Sequence, residues 1–593
     1  MNDFENADSK PGLSMKLWRG ERMCLIGFDV PEPVPADLVG FAIERRAPGR
    51  RKFEPLNNRL SFSYDQPLEA AVTGARKYPS TEAPFQKFRW VDFPFEPRAG
   101  KYVYRGTAMH MPSDGKLERG ASIDLDISLA PVTYDGFLDV GFTRGFASSQ
   151  AFHDKFPEGT DLDAVGTTII PSDGDEGLEF KKATEPKDIY DWLGFEAYDL
   201  IFSFLDEVVA DPTITLDVFA YDLNEPDIVG RLERLGKRLR VIVDDSAKKS
   251  KKGVLTGHGA ADSAESRSAA RLEASAGKAN VHRTHFKNLQ HHKVLIAKRD
   301  GVPFKVLAGS TNFSFRGLYI QSNNVLVFED PGVAGLFGKV FDAAFANPDR
   351  FASDDLAKRW HTLQTPGRPP LHICFSPHAS SDVSLNPVRG AIEQASSSVL
   401  YAIAFLSQIK SGPTEEALDR LIKRPVFSYG ITDKRGTLEL QKPDGSIGLV
   451  DFAYLADKSP QPFKREWSGG QGINVHHKFV VTDFSLPTAK VFTGSSNLAP
   501  SGEQGNGDHL IQIEDRKIAV GYAIEALRVF DHLHFRDLMR EAGKKPKPAA
   551  GQAKQGSLTL RKPTAISGEK RAWFDDYYVP DSQKERDRML FAR

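Results

Sequence analysis

One short pattern occurs twice in this chain. His291-His292-Lys293 is followed by Gly309-Ser310-Thr311-Asn312. Further on, His476-His477-Lys478 is followed by Gly494-Ser495-Ser496-Asn497, an offset of 185 positions. The leading His and the Gly are 18 residues apart in both copies. A lone His-x-Lys arises easily by chance, whereas this compound pattern at equal spacing, twice, does not. The duplication predicts two similar halves that each supply part of one site.

The segments around the two copies alternate between strand and helix signals. In the first half an apolar stripe predicts a helix over 190–209. A strand over 214–221 follows. Next comes a helix with Asn224 as N-cap, Pro226 in its first turn and Gly236 past its end. Further strands are expected at 239–244, 291–297 and 305–308, with helices at 260–276 and 331–346. The second half repeats the order: helix 388–395, strand 399–405, helix 414–422, then strands 426–432, 475–482 and 490–493, and a closing helix over 517–538. Such alternation predicts an α/β fold with helices layered on each sheet. Residues 1–135 read differently. Ile123, Leu125, Ile127 and Leu129 alternate with Ser122, Asp124, Asp126 and Ser128, the mark of a half-buried strand. Residues 38–46, 85–91 and 101–108 are also strand-like and are separated by Pro and Gly turns, which predicts an all-β sandwich.

A length of 593 residues is enough for several domains. The expected division is a β-sandwich at 1–135, one lobe at 136–366, a second at 367–540, and a linker with a docking segment at 541–593. The break between lobes is placed in the Pro- and Gly-rich stretch 365–370. The net charge of −1 gives no global basic field. Local basic runs occur at 45–52, 248–252 and 544–547. Two cysteines, Cys24 and Cys374, suggest neither a disulfide framework nor a Cys-based metal site. Residues 1–12 lack the basic-then-apolar layout of a secretory signal, and no stretch approaches the ~20 apolar residues of a membrane span. The expectation is a cytoplasmic protein, with export by a route that needs no cleavable signal left open.

In an extended strand, residues i and i+2 share a face. On that basis His291 and Lys293 project together, as do His476 and Lys478, while His292 and His477 point the other way. Ser310 with Asn312, and Ser495 with Asn497, return on the adjacent strand end. Two facing halves then gather two imidazoles and two ammonium groups around one point. This array suits a phosphate diester, because cations and amide donors hold its non-bridging oxygens. One imidazole attacks phosphorus and the other protonates the leaving oxygen. The lysines supply the positive charge, so neither metal nor cofactor is expected.

The duplicated His-x-Lys with Gly-Ser-x-Asn resembles the phospholipase D superfamily. The resemblance covers roughly residues 136–540 and implies two similar phospholipase D-like α-β-α lobes in one chain, preceded by an all-β sandwich that loosely resembles a fibronectin type III domain. It implies catalysis by His291, Lys293, His476 and Lys478, with Ser310, Asn312, Ser495 and Asn497 binding substrate. The family motif also places an Asp five residues after the Lys. Asp483 fills that position in the second copy, but Lys298 stands there in the first, with Asp300 two residues later, so local support of the first lobe is expected to differ. Aligning Glu329-Asp330 with Glu514-Asp515 pairs Gln321 with Asn506 and Asn323 with Asp508. These pairs resemble the family's Asn-x-Glu, which orients the catalytic histidine. With Asp508 taken to lie beside His476, His476 is the expected acid and His291 the expected nucleophile. Gly141-Phe142-Thr143-Arg144-Gly145 and Ser148-Ser149-Gln150-Ala151 also resemble large bacterial members.

The superfamily contains lipid phosphodiesterases, transphosphatidylases, phospholipid synthases and nucleases. The sequence favours a phosphodiesterase acting on a phospholipid headgroup, monomeric and with a peripheral membrane contact. A nuclease using Lys248, Lys249, Lys251 and Lys252 is the alternative, and an inactive adaptor the third reading. Residues 467–470 are expected to be a plain surface loop, with a mobile lid as the alternative. Trp573, Tyr577 and Tyr578 are expected to pack in a core rather than close a substrate entrance.

Overall fold

The duplication in the sequence is a duplication of sheets. A computed structural model describes residues 4–593 except 66–67, 69–75, 146–149, 157–168, 172–173, 186, 410, 435, 440, 453–473 and 544–557. The first mixed sheet runs, edge to edge, through Thr133–Tyr134, Leu138–Phe142, Asn324–Phe328, Val302–Gly309, Lys293–Arg299, Ile214–Ala220, Leu239–Val243 and Val281–Arg283. The second runs through His361–Leu363, Leu371–Ser376, Asn506–Ile513, Lys490–Gly494, Lys478–Thr482, Ser398–Ile403, Phe427–Thr432 and Leu449–Asp451. Strand for strand the two orders correspond, with the same parallel or antiparallel sense at every pairing. His361–Leu363 already belongs to the second sheet, so the Pro- and Gly-rich stretch 365–370 joins two strands of that sheet.

The strands are buried on both faces, and their side chains divide by period two. Val294 and Ile296 face a core that lies between the two sheets, whereas Leu295 and Ala297 face an outer core. The inner core is filled by two central helices, Pro331–Ala346 and Arg516–Gly543. The outer face of the first sheet is covered by Ile189–Ala210, Pro226–Leu235 and Ala264–Ala276, and that of the second by Asp382–Gln394 and Pro413–Lys423. Among the described residues no helix is long and apolar enough to cross a membrane.

One expected cap is displaced. Glu225, not Asn224, caps Pro226–Leu235, accepting a bond from Ile228 N at 2.7 Å. Asn224 Oδ1 instead accepts from Phe315 N at 2.9 Å and ties the helix to the loop after Asn312.

Ahead of the first mixed sheet, two four-stranded sheets share one apolar core. One contains Leu13–Arg19 and Cys24–Asp29, the other Leu38–Arg46, Lys101–His110 and Glu118–Ser128. The strand expected at 85–91 is shorter, Arg89–Asp92. Trp573 and Phe574 complete this core, with Tyr577 and Tyr578 packed against it. The helix Gln583–Ala592 then lies along Cys24–Asp29, where Trp18 Nε1 donates to Phe591 O at 2.9 Å and Arg588 pairs with Asp29. The C-terminal segment also reaches the strand Phe427–Thr432 of the second mixed sheet, where Gln583 Nε2 donates to Ser428 O at 2.8 Å and Phe591 packs edge-on to Phe427. Of the expected linker, residues 544–557 lie outside the described residues, as do Ser148, Ser149 and the candidate lid at 467–470.

Candidate active site

Each motif copy occupies the same place in its sheet. The leading His precedes a strand, the strand turns back in a hairpin, and the Gly ends the returning strand. Gly309 and Gly494 have φ of +143° and +146°, and a Cβ there would lie 2.5 Å from Asn324 O and 2.3 Å from His509 O. Only glycine fits both the backbone angle and the contact. The following serine then bonds across the strand end, its Oγ accepting from Asn324 N (Ser310) or His509 N (Ser495), each at 3.0 Å.

The histidines are not in these strands, contrary to the extended-strand expectation. The strands begin at Lys293 and Lys478. The backbone N–H of His291 is taken by Gly507 O of the other sheet at 2.9 Å, and that of His476 by Ser322 O at 3.1 Å. Each lysine nevertheless folds back to its own histidine. Lys293 Nζ donates to His291 O, and Lys478 Nζ donates to His476 O at 2.9 Å and to His476 Nε2 at 3.0 Å.

The orienting bonds cross between halves. His291 Nδ1–H donates to Asp508 Oδ1 at 2.7 Å, and His476 Nδ1–H donates to Asn323 Oδ1 at 2.8 Å. The expectation that Asp508 lies beside His476 is therefore corrected: each half holds the other's imidazole. Behind each acceptor stands the motif serine of the same half, Ser495 Oγ donating to Asp508 Oδ1 at 2.7 Å and Ser310 Oγ to Asn323 Oδ1 at 2.9 Å. Both hydroxyl hydrogens are thus committed, so Ser310 and Ser495 position Asn323 and Asp508 instead of binding substrate. Thr143 completes the first support, donating to Gln321 O at 2.6 Å and accepting from Asn323 N at 2.8 Å. With both Nδ1 atoms protonated, both Nε2 atoms carry the lone pair, and that of His476 accepts from Lys478 Nζ.

Four cationic or imidazole groups crowd a buried space, and their proton affinities fall. Burial, then Lys293, pushes His291 down, against the pull of Asp508. Burial, Lys478, Lys293 and His291 hold His476 well below its usual value. Burial brings Lys293 down to about 8 despite Asp508, Asp222 and Asp244, while burial and Lys293 hold Lys478 well below the lysine range. Burial would raise Asp508, but His291, Lys293 and the Ser495 hydroxyl hold it far below the usual carboxylate range. The resting site is an ionised carboxylate beside a neutral imidazole, short of negative charge and suited to an anion.

Asn312 Nδ2 donates to Asp222 Oδ2 at 2.6 Å, and the Oδ1 atoms of Asn312 and Asn497 are buried with no hydrogen-bond partner among the described residues. Asn497 also lines a cavity of ≈ 680 Å³ with Tyr221, His258, His285, Lys248 and Lys287. Tyr221 stands edge-on to His291, ring centroids 4.7 Å apart. Tyr221 thus separates this cavity from His291.

Sequence reasoning missed Asp244 and Asp433. Each follows a corresponding strand end, and each accepts backbone N–H bonds just ahead of the motif histidine, Asp244 from Gln290 at 2.6 Å and Asp433 from Asn474 at 2.9 Å. The repeated strand-then-Asp ending, Val243-Asp244 and Thr432-Asp433, was the available signal. The donor group able to hold a cation, among the described residues, is Asp222, His258 and Glu265, with ligand atoms within 4.8 Å of one another. His258 already lies 3.2 Å from Asp222 and 2.9 Å from Asp244. Burial lowers its pKa, but those two carboxylates hold it up to about 11, so an imidazolium supplies the positive charge there.

Three expected positioning residues stand apart from the imidazoles. Asp483 accepts from the backbone N–H groups of Ser396, Ser397 and Ser398 at the far end of its strand. Lys298, in the corresponding place, pairs with Asp217 at 2.5 Å instead. Gln321 takes part through its backbone O, and its side chain reaches Asn323 Nδ2 only at 3.5 Å. Asn506 pairs by its backbone with Leu289 and lines the cavity.

Residues 211–345, which carry the first motif copy and its flanking strands, match the family described as "Cardiolipin synthase, PLD-like domain". This stretch is similar to a phospholipase D-like domain. Among solved structures, the chain is similar to polyphosphate kinase from Porphyromonas gingivalis (12% identity, TM-score 0.37, covering 78% of this chain and 67% of that one). It is also similar to phosphatidylserine synthase from Haemophilus influenzae (11%, TM-score 0.39, 58% and 88%). A third is a phospholipase D family member, Nuc, from Salmonella typhimurium (21%, TM-score 0.18, 24% and 86%). No curated protein matches this chain. The matched stretch contains His291, Lys293, Ser310, Asn312 and Asn323, whereas Asp508, the partner of His291, lies outside it.

Proposed function

We propose that the two mixed sheets form two phospholipase D-like lobes sharing one site, and that the protein is a metal-independent phosphodiesterase working through a phosphohistidine, with a phospholipid headgroup as the favoured leaving group. The observation that carries this reading is the crossed pair of imidazole bonds, His291 to Asp508 and His476 to Asn323, by which each half orients the other's imidazole.

His291 Nε2 attacks phosphorus, and the bond to the leaving oxygen breaks with its electron pair on that oxygen. His476 Nε2–H supplies the proton. The anionic diester raises the proton affinity of His476 on docking, so the proton is taken up with the substrate. Water then gives a proton to His476 Nε2 and attacks phosphorus, and the P–N bond breaks with its pair returning to His291. The phosphorylated ring is cationic, and Asp508 stabilises that charge where Asn323 offers His476 only a dipole. This asymmetry favours His291 as nucleophile. Lys293, Lys478, Asn312 and Asn497 take the non-bridging oxygens.

The test is cleavage of phosphatidylcholine vesicles, single-stranded DNA and bis(p-nitrophenyl) phosphate, with and without a chelator, by the wild type and by His291→Ala and His476→Ala. Chelator-resistant cleavage lost in both variants is expected. A phosphohistidine mapped to His476 overturns the order of roles, and cleavage of none of the three by a folded protein favours an adaptor. A nuclease is the second reading, favoured by Lys248, Lys287 and His285 along the cavity.

A further inference from the structure

A short exposed hairpin stands at the cavity. Lys248–Lys249 pairs antiparallel with Leu255–Thr256, and the turn closes through Ser250 N to Val254 O at 2.8 Å. Every residue from 247 to 257 is exposed. Four lysines, 248, 249, 251 and 252, lie within it, and none pairs with a carboxylate among the described residues. Beside them Val254 and Leu255 are 60% and 48% exposed, the only adjacent pair of large apolar side chains so exposed among the described residues.

A chain with net charge −1 here concentrates four unpaired cations next to two uncovered aliphatic groups. Cations alone would suit a nucleic acid or a lipid surface. The aliphatic pair separates the two, because single-stranded nucleic acid is gripped by aromatic stacking and 247–257 contains no aromatic residue. A bilayer interface offers anionic headgroups and acyl chains at one depth, matching both features. The position also fits: Lys248 and Thr256, at the base of the hairpin, line the cavity beside Tyr221, which packs against His291.

We infer that hairpin 248–256 docks the protein on an anionic lipid bilayer and brings the cavity mouth to the headgroup layer. This rests on the phospholipid reading of the site, but its test does not use catalysis as the readout. The full-length protein is sedimented with phosphatidylcholine vesicles with and without phosphatidylglycerol. The variants are Val254→Ser with Leu255→Ser, and Lys251→Glu with Lys252→Glu. All four side chains are exposed and outside the cavity lining, so hydrolysis of bis(p-nitrophenyl) phosphate and the melting temperature should match wild type. Expected is binding to the anionic vesicles, weakened roughly tenfold or more by either pair of substitutions. Undiminished vesicle binding by the serine pair overturns the inference. So does a lysine pair that loses single-stranded DNA binding while still sedimenting with vesicles. If the wild type sediments through the hairpin yet cleaves no diester, the docking surface stands and the catalytic reading falls.

Discussion

Asp508→Asn tests the division of labour between the two histidines. The carboxylate accepts from His291 Nδ1 at 2.7 Å and from Ser495 Oγ at 2.7 Å, and an amide oxygen can accept both. Asn323 already makes the equivalent pair of bonds for His476. The substitution therefore keeps ring orientation and tautomer and removes only charge. When His291 becomes a phosphorylated, cationic ring, a unit charge about 4 Å away in a medium of effective dielectric 20 contributes about 4 kcal/mol. The neutral hydrogen bond that remains returns about 1 kcal/mol. The net loss of about 3 kcal/mol corresponds to ~10²-fold in rate. Asp508 Oδ2 is buried without a hydrogen-bond partner among the described residues, so the new NH₂ costs a further ~1–3 kcal/mol of stability, seen as a modest fall in melting temperature. The assay is p-nitrophenol release from bis(p-nitrophenyl) phosphate, with the acid-labile protein-bound phosphate quantified after rapid quench. A variant whose kcat/KM stays within about threefold of wild type, with the adduct still forming, would refute the charge argument. So would an adduct on His476.

Asn323→Asp adds a carboxylate beside His476, raising its proton affinity, and should move the alkaline limb of the pH–rate profile upward by about 1 unit or more; an unmoved limb would show that His476 does not set it. Lys293→Met should abolish cleavage and raise the melting temperature. The folded lysine titrates near 8 and the unfolded one near its ordinary value, so between those pH values the unfolded state binds more protons and this group's contribution to stability rises with pH. At pH 7 both states are charged and the full cost, on the order of 3 kcal/mol, is present; the gain from Met should therefore be largest there and shrink toward pH 10. A lower melting temperature for the Met variant at pH 7 contradicts this. Gly27→Ala places a Cβ 2.3 Å from Phe591 O and should unseat the helix Gln583–Ala592, detected as faster limited proteolysis of the C-terminal segment with the diesterase rate retained.

Some of this architecture is written in local pattern. The 18-residue interval is a strand, a hairpin and a returning strand ending at a glycine that no other residue can replace, so it repeats wherever that unit repeats. Pro331–Ala346 is legible from its apolar content and from its flanking Asp330 cap, whose side chain accepts from Val333 N. Where a long-range partner competes, local reading fails. His291 lies ahead of its strand because Gly507 of the other sheet takes its N–H, and Asn224 leaves the cap to Glu225 because Phe315 N needs its amide oxygen. Asp483 reads as a neighbour of the histidine, yet it lies at the opposite end of a strand, capping a turn.

By itself, then, the sequence determined which groups are present, that they come in two equivalent sets, and that each set sits on an alternating α/β scaffold, because these depend on side-chain chemistry and on periods of two and about 3.6 residues. The packing of one sheet against the other decided which imidazole receives the carboxylate and which the amide. No local rule encodes that pairing, since His291 and Asp508 lie 217 residues apart and meet only when both sheets close on the shared core of central helices.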